Sequence, residues 1–193
     1  RQALAKLDGI VKALETAVAD PKSSKWSQYY ASCCLASLCL DPDLTDQLGD
    51  WECTHGLLLS NLKCDDQDLV DAAAEAFHNL LASNKDNREL FSDNRELMDR
   101  IVQLAGEDEG RASGTHAVGG LFQLVRASKE FAKEIIHHPS LAAQLVKALQ
   151  FGSDKTKELS CAILAILGEN DDDISSLDDD VLNMRITMCD GSF

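Results

Sequence analysis

Apolar residues recur along this chain in two alternating helical stripes. The first reads small-x-x-(small or apolar)-large-x-x-Leu and occurs four times. Its members are Ala31, Cys34, Leu35 and Leu38; Ala73, Ala76, Phe77 and Leu80; Ala117, Gly120, Leu121 and Leu124; and Ser160, Ile163, Leu164 and Leu167. Positions i, i+3, i+4 and i+7 share one helix face, and the small leading residue lets a neighbouring helix approach closely. The second stripe lies between these: Leu58-Leu59-x-x-Leu62, Ile101-Val102-x-Leu104 and Leu145-Val146-x-x-Leu149, with an echo in Ile10-Val11-Lys12-Ala13-Leu14. Each is followed by a polar or glycine-bearing turn, at Asp20-Pro21, Asp65-Asp66, Gly106-Glu107-Asp108 and Gly152-Ser153-Asp154. A shorter helix is expected before it, over 44–48, 88–91 and 130–136. Pro42 and Pro139 stand at helix boundaries, where a missing N–H costs little.

The large anchors Leu35, Phe77, Leu121 and Leu164 are spaced by 42, 44 and 43 residues. Two long helices and one short one per period make an α-solenoid. Tetratricopeptide and ankyrin repeats run about 33–34 residues, whereas armadillo and HEAT repeats run about 40–47. The segment Ala73-Ala74-Glu75-Ala76-Phe77-His78-Asn79-Leu80 resembles the third helix of an armadillo repeat, in which an alanine-rich turn leads to Asn-Leu. Asn87-x-x-Leu90-Phe91 and the stripe at 97–104 continue that pattern. The resemblance spans about residues 1–168. It implies an all-α, right-handed superhelix of armadillo-like repeats: a partial repeat 1–24, repeats at about 25–66, 67–110 and 111–154, and a partial repeat 155–168. An acidic linker, 169–180, and a C-terminal helix or tail, 181–193, are expected to follow.

Armadillo proteins hold extended partners along a concave groove lined by the third helices, and an Asn on each such helix hydrogen-bonds the partner's backbone. Carried over by position, that ladder here reads Ser37, Asn79, Gln123 and Ile166. The first three can bond a peptide backbone and the isoleucine cannot. Armadillo importers of basic cargo carry a Trp four residues before the ladder Asn; those positions here are Cys33, Glu75, Gly119 and Ala162, so the Trp array is missing.

Read from helical geometry, Tyr29, Asp71, Thr115 and Glu158 lie eight residues before the ladder and line roughly the same side. With Glu75 they make the middle of that face acidic, and Trp26, Tyr29 and Tyr30 give it an aromatic end. Such a face suits a Lys- or Arg-bearing segment. Trp26 and Tyr30 have a plainer alternative, packing under the preceding helix. Gly119-Gly120 likewise suits either close helix packing or the approach of a ligand backbone over Gly119.

Composition sharpens this picture. Leu and Ala dominate, β-branched residues are scarce and only three prolines occur, which excludes an all-β fold. The formal charge is −15. Residues 169–193 hold eight acids and one base, so −7 of it is local and −8 is spread over the rest. Both parts repel a phosphate backbone, so nucleic acid is not an expected ligand, and a basic peptide or protein surface is. The stretch Asp171–Asp173 to Asp178–Asp180 lacks the spacing of a calcium loop; it suits a solvated linker, a clamp for a basic partner or the end of the repeat stack.

Seven cysteines at irregular spacing, three of them inside a helical pattern, suit reduced thiols in a cytoplasmic or nuclear protein. No CxxC occurs, and no metal or cofactor site is expected. No apolar run reaches membrane-span length, and a start at Arg1 rather than methionine fits a segment of a longer protein. No phosphate loop, nucleophile elbow or zinc-binding His pair is present; His137 and His138 are adjacent and suit a helix end. Neither catalysis nor a small-molecule substrate is expected. The sequence points to a protein-interaction module, an adaptor or scaffold of escort or co-chaperone type, with a structural subunit of a large assembly as the rival.

Overall fold

A computed structural model describes residues 10–20, 22–38, 58–83, 85–107 and 111–170. Among them every regular element is helical. Nine helices are labelled here: α1 Ile10–Ala19, α2 Lys25–Leu38, α3 Gln67–Ser83, α4 Lys85–Ser92, α5 Arg95–Ala105, α6 Ala112–Ala127, α7 Lys129–Ile135, α8 Leu141–Phe151 and α9 Asp154–Asn170. A further helical stretch runs over 58–62. The long third helices thus begin at 25, 67, 112 and 154, one per repeat. Short helices appear at 85–92 and 129–135, where they were expected. The expected short helix at 44–48 and the segment 181–193 lie outside the described residues, as does all of the acidic linker but its first two positions. Those two are helical, because α9 continues to Asn170.

The chain divides into two compact units, Arg1–Ile101 and Val102–Phe193, with the boundary inside α5. In the first unit α2 packs on both α1 and α3. The buried stripe is Ala73, Ala76, Phe77 and Leu80, backed by Leu62, Leu97 and Ile101. Phe77 meets Phe91 of α4 edge-to-face, with centroids 5.7 Å apart and planes at 87°. Such aromatic pairs add about 0.5–1.5 kcal/mol to the burial itself. In the second unit α6 packs on α9, α8 also packs on α9, and α7 closes against both α6 and α9. Its core is Ala117, Leu121, Leu124, Leu145, Leu149, Ile163, Leu164 and Leu167. The stripes of α3, α6 and α9 therefore face inward, whereas Cys34 of α2 is exposed.

Short polar residues start the helices. Ser24 Oγ accepts from Ser27 N, Asp66 Oδ1 from Asp68 N, Asn94 Oδ1 from Leu97 N, Ser128 Oγ from Phe131 N and Ser153 Oγ from Thr156 N, at 3.1–3.2 Å. Each satisfies an N–H that the helix itself leaves over. Long side chains serve the opposite ends. Arg100 Nε donates to the Leu62 carbonyl at 2.7 Å, Arg88 Nη1 to Leu81 O at 2.6 Å and Asn87 Nδ2 to Leu80 O at 3.3 Å. These carbonyls lie in last helical turns, where no intrahelical donor remains.

One glycine of the second unit is fixed by space. A Cβ on Gly152 would run into the Ala148 carbonyl and the Thr156 side chain, whereas one on Gly106 would displace the end of the Gln144 side chain. Gly119 and Gly120 are both buried within α6, which agrees with close helix packing.

Candidate functional site

Helices α2 and α3 carry five of the six candidate residues, all in the first unit. Asn79 is only 9% exposed, and its Nδ2 donates to the Ala36 carbonyl at 3.1 Å. Ala36 lies in the last turn of α2, one repeat earlier, so Asn79 supplies a donor that the helix end lacks. In the armadillo ladder the corresponding amide bonds a partner's backbone instead. The amide donor is committed to the chain's own backbone, because α2 packs close enough to claim it. Asn79 therefore joins two third helices, and the accessible part of the face lies elsewhere. Ser37, beside Ala36, is exposed.

Asp71 and Glu75 are half-buried on α3, one turn apart. Asp71 Oδ1 accepts from Gln67 Nε2 at 2.8 Å. Glu75 has no ion-pair partner among the described residues. Asp68 is exposed at the same end of the helix, while neighbouring Asp66 is tied to Lys25 at 2.6 Å. Helix α3 thus carries Asp68, Asp71 and Glu75 and no base at all.

Tyr29 is half-buried and belongs to an aromatic cluster on the first turns of α2. Its ring meets Trp26 edge-on at 6.2 Å and Tyr30 at 5.3 Å, while Trp26 and Tyr30 lie nearly parallel, 28° apart, with centroids at 6.2 Å. Its phenol is pushed above the usual tyrosine value, chiefly by its hydrogen bond with Cys33 and then by that thiol's charge, with the Asp68 carboxylate also contributing. Trp26 and Tyr30 are 59% and 61% exposed. The alternative in which they pack under the preceding helix is therefore set aside. Sequence reasoning could not choose between these readings, since both put the same residues at the same helical spacing.

The second unit treats the matching positions differently. Gln123, half-buried on α6, accepts at Oε1 from Arg126 Nη2 at 3.0 Å, and the Arg126 guanidinium sits 5.3 Å from the centroid of the Phe122 ring. Thr115 Oγ1 lies 2.8 Å from Thr156 Oγ1 and 3.3 Å from Ser153 Oγ, so it belongs to a hydroxyl cluster joining α6 to the start of α9. Glu158 is exposed and pairs with Lys155 at 2.9 Å. No acid occurs on α6, and its one charged residue is Arg126.

Among the described residues no group of three His, Cys, Asp or Glu side chains is placed to hold a metal ion, and no helix is long and apolar enough to cross a membrane. Cys33, Cys34, Cys64 and Cys161 are not joined in disulfides. Burial, and then the neighbouring Asp65, pushes the Cys64 thiol above its usual value.

No protein-family model matches the sequence, and no curated protein matches it significantly. Solved structures do match in fold. A designed armadillo repeat protein in complex with the peptide (KR)4 superposes with a TM-score of 0.71 at 16% identity, over 94% of this chain and 81% of that one. An engineered protein gives 0.70 at 20% identity, over 92% of this chain and 68% of that one. Another engineered protein gives 0.70 at 17% identity, over 91% of this chain and 66% of that one. At these identities the likeness is one of fold. Helical triplets with a period near 43 residues, and these superpositions, give the chain an armadillo-like repeat fold.

Proposed function

We propose that this chain is a non-catalytic protein-interaction module, an adaptor of escort or co-chaperone type, that holds an extended or helical segment of a basic partner. The segment lies against the third helices, as in the concave groove of armadillo proteins, and its cations are met by the first unit. One observation carries this reading: α3 presents Asp68, Asp71 and Glu75 with no base among them, in a chain of net charge −15. The (KR)4 peptide held by a designed protein of the same fold supports it. Ser37, exposed at the end of α2, would bond the segment's backbone, and Tyr29 would border it. A cytoplasmic or nuclear setting, with reduced thiols, belongs to the same reading.

Stacked helices fix such a face in advance, which lowers the ordering cost on this side of the complex. Exposed charge pairs contribute only about 0.2–1 kcal/mol each and weaken with salt, so affinity for a basic segment should come from several pairs together. The test is anisotropy of labelled (KR)4 titrated with the protein at low and moderate salt. Binding that falls with salt, and about fivefold in an Asp71→Asn/Glu75→Gln double variant, is the expected result. Equal affinity in that variant would remove the acidic face from the account. No binding at low salt would favour the rival, a structural subunit.

A further inference from the structure

Exposed aromatic side chains call for a reason when they cluster. Trp26, Tyr29 and Tyr30 occupy positions i, i+3 and i+4 of α2 and so share one face. Tyr29 is the recessed member, held by Cys33, and it meets both neighbours edge-on. Trp26 and Tyr30 stand outside it with their rings nearly parallel and more than half of each residue in contact with solvent. The Asp68 carboxylate acts on the Tyr29 phenol across the α2–α3 contact, and Asp68 has no ion-pair partner among the described residues. The nearby cation, Lys25, is already taken by Asp66.

We propose that Trp26 and Tyr30, with Tyr29 behind them and Asp68 alongside, form the seat for one arginine or lysine side chain of the bound segment. The inference rests on the basic-segment reading above and adds to it a specific anchor at the aromatic end of the acidic helix. The ring quadrupoles attract a cation over their faces, and the carboxylate favours that same charge. A neutral apolar side chain gains nothing from Asp68, and an anion is repelled by it. The observations therefore select a cationic side chain rather than a greasy one.

The experiment titrates labelled (KR)4 into the wild type, Trp26→Leu/Tyr30→Leu, Trp26→Phe and Asp71→Asn/Glu75→Gln proteins, each checked by its thermal transition in circular dichroism. Leucine keeps an apolar surface but removes the π face, and phenylalanine keeps a weaker one. The expected order is wild type, then Trp26→Phe, then the double leucine variant, the last weaker by about three- to tenfold. Unchanged affinity in the double leucine variant, with affinity lost in the acidic-helix variant, would overturn the aromatic seat and leave the basic-segment reading standing. Absence of (KR)4 binding to the wild type would overturn both. Should the leucine variant melt early, the phenylalanine variant decides alone, and wild-type affinity there overturns the seat.

Discussion

The two units share one helical grammar, but an inner helix of each carries charge of a different sign. In the first, α3 carries three carboxylates and no base; in the second, α6 carries one arginine and no acid. The ladder positions diverge as well. Asn79 is buried and donates to the preceding third helix, whereas Gln123 is half-buried and is engaged by Arg126 three residues on. The lesson is that the repeat's apolar stripe fixes the fold, while the polar positions are left to differ. Under the proposed function a basic ligand would read the difference, since α3 carries carboxylates and no base of its own, whereas α6 and α9 both carry cations.

Core substitutions give the largest effects and should be alike in both units. Phe77→Ala should cost the first unit about 3–5 kcal/mol, and Leu121→Ala the second about 2–5 kcal/mol, read by denaturant unfolding. A loss under about 1 kcal/mol at either site would contradict the packing described here.

The ladder should then separate the units. Asn79→Ala leaves the Ala36 carbonyl without its side-chain donor and should cost about 1–3 kcal/mol, whereas Gln123→Ala should cost under about 0.5 kcal/mol. Equal costs would mean that Asn79 has no special structural role.

A smaller contrast concerns the small residue that heads the stripe. It is Ala73 on α3 and Ser160 on α9, where the Ser160 hydroxyl is buried without a hydrogen-bond partner among the described residues. Ser160→Ala should therefore be neutral or stabilising by up to about 1 kcal/mol, and Ala73→Ser destabilising by about 1–3 kcal/mol.

The smallest effects are titrations, one per unit. Glu130, at the start of α7, is held below the usual glutamate value by a backbone hydrogen bond and then by the Ser128 hydroxyl. Its contribution to stability is present above the unfolded value of about 4.3 and is lost as pH falls through the lower folded value. Tyr29 runs the other way. Its raised value means a contribution fully present below about 10 and lost as pH rises through the folded value. Carboxyl and phenol chemical shifts followed against pH would show both, and unshifted midpoints would deny both hydrogen bonds.

The fold was legible in the sequence because apolar spacing alone dictates it. Ala73, Ala76, Phe77 and Leu80 form a stripe only on a helix, and recurrence near 43 residues selects the repeat class. The site was legible only as a set of positions. Asn79 stands where the ladder places it, yet its partner is a carbonyl 43 residues away, and only the packing of α3 on α2 decides that the amide turns inward. Thr115 looked like a surface position, but Ser153 and Thr156 reach it from the start of α9. Trp26 and Tyr30 could be assigned to the outside only once their surroundings were in place. Long-range side-chain partners leave no periodic trace, and this is where the sequence reading stopped.

The most direct test of the central claim is amide hydrogen exchange across the chain with and without (KR)4. The account predicts added protection in Lys25–Leu38 and Gln67–Ser83, and none in Ala112–Ala127. Protection centred on Ala112–Ala127, or spread evenly over both units, would contradict it.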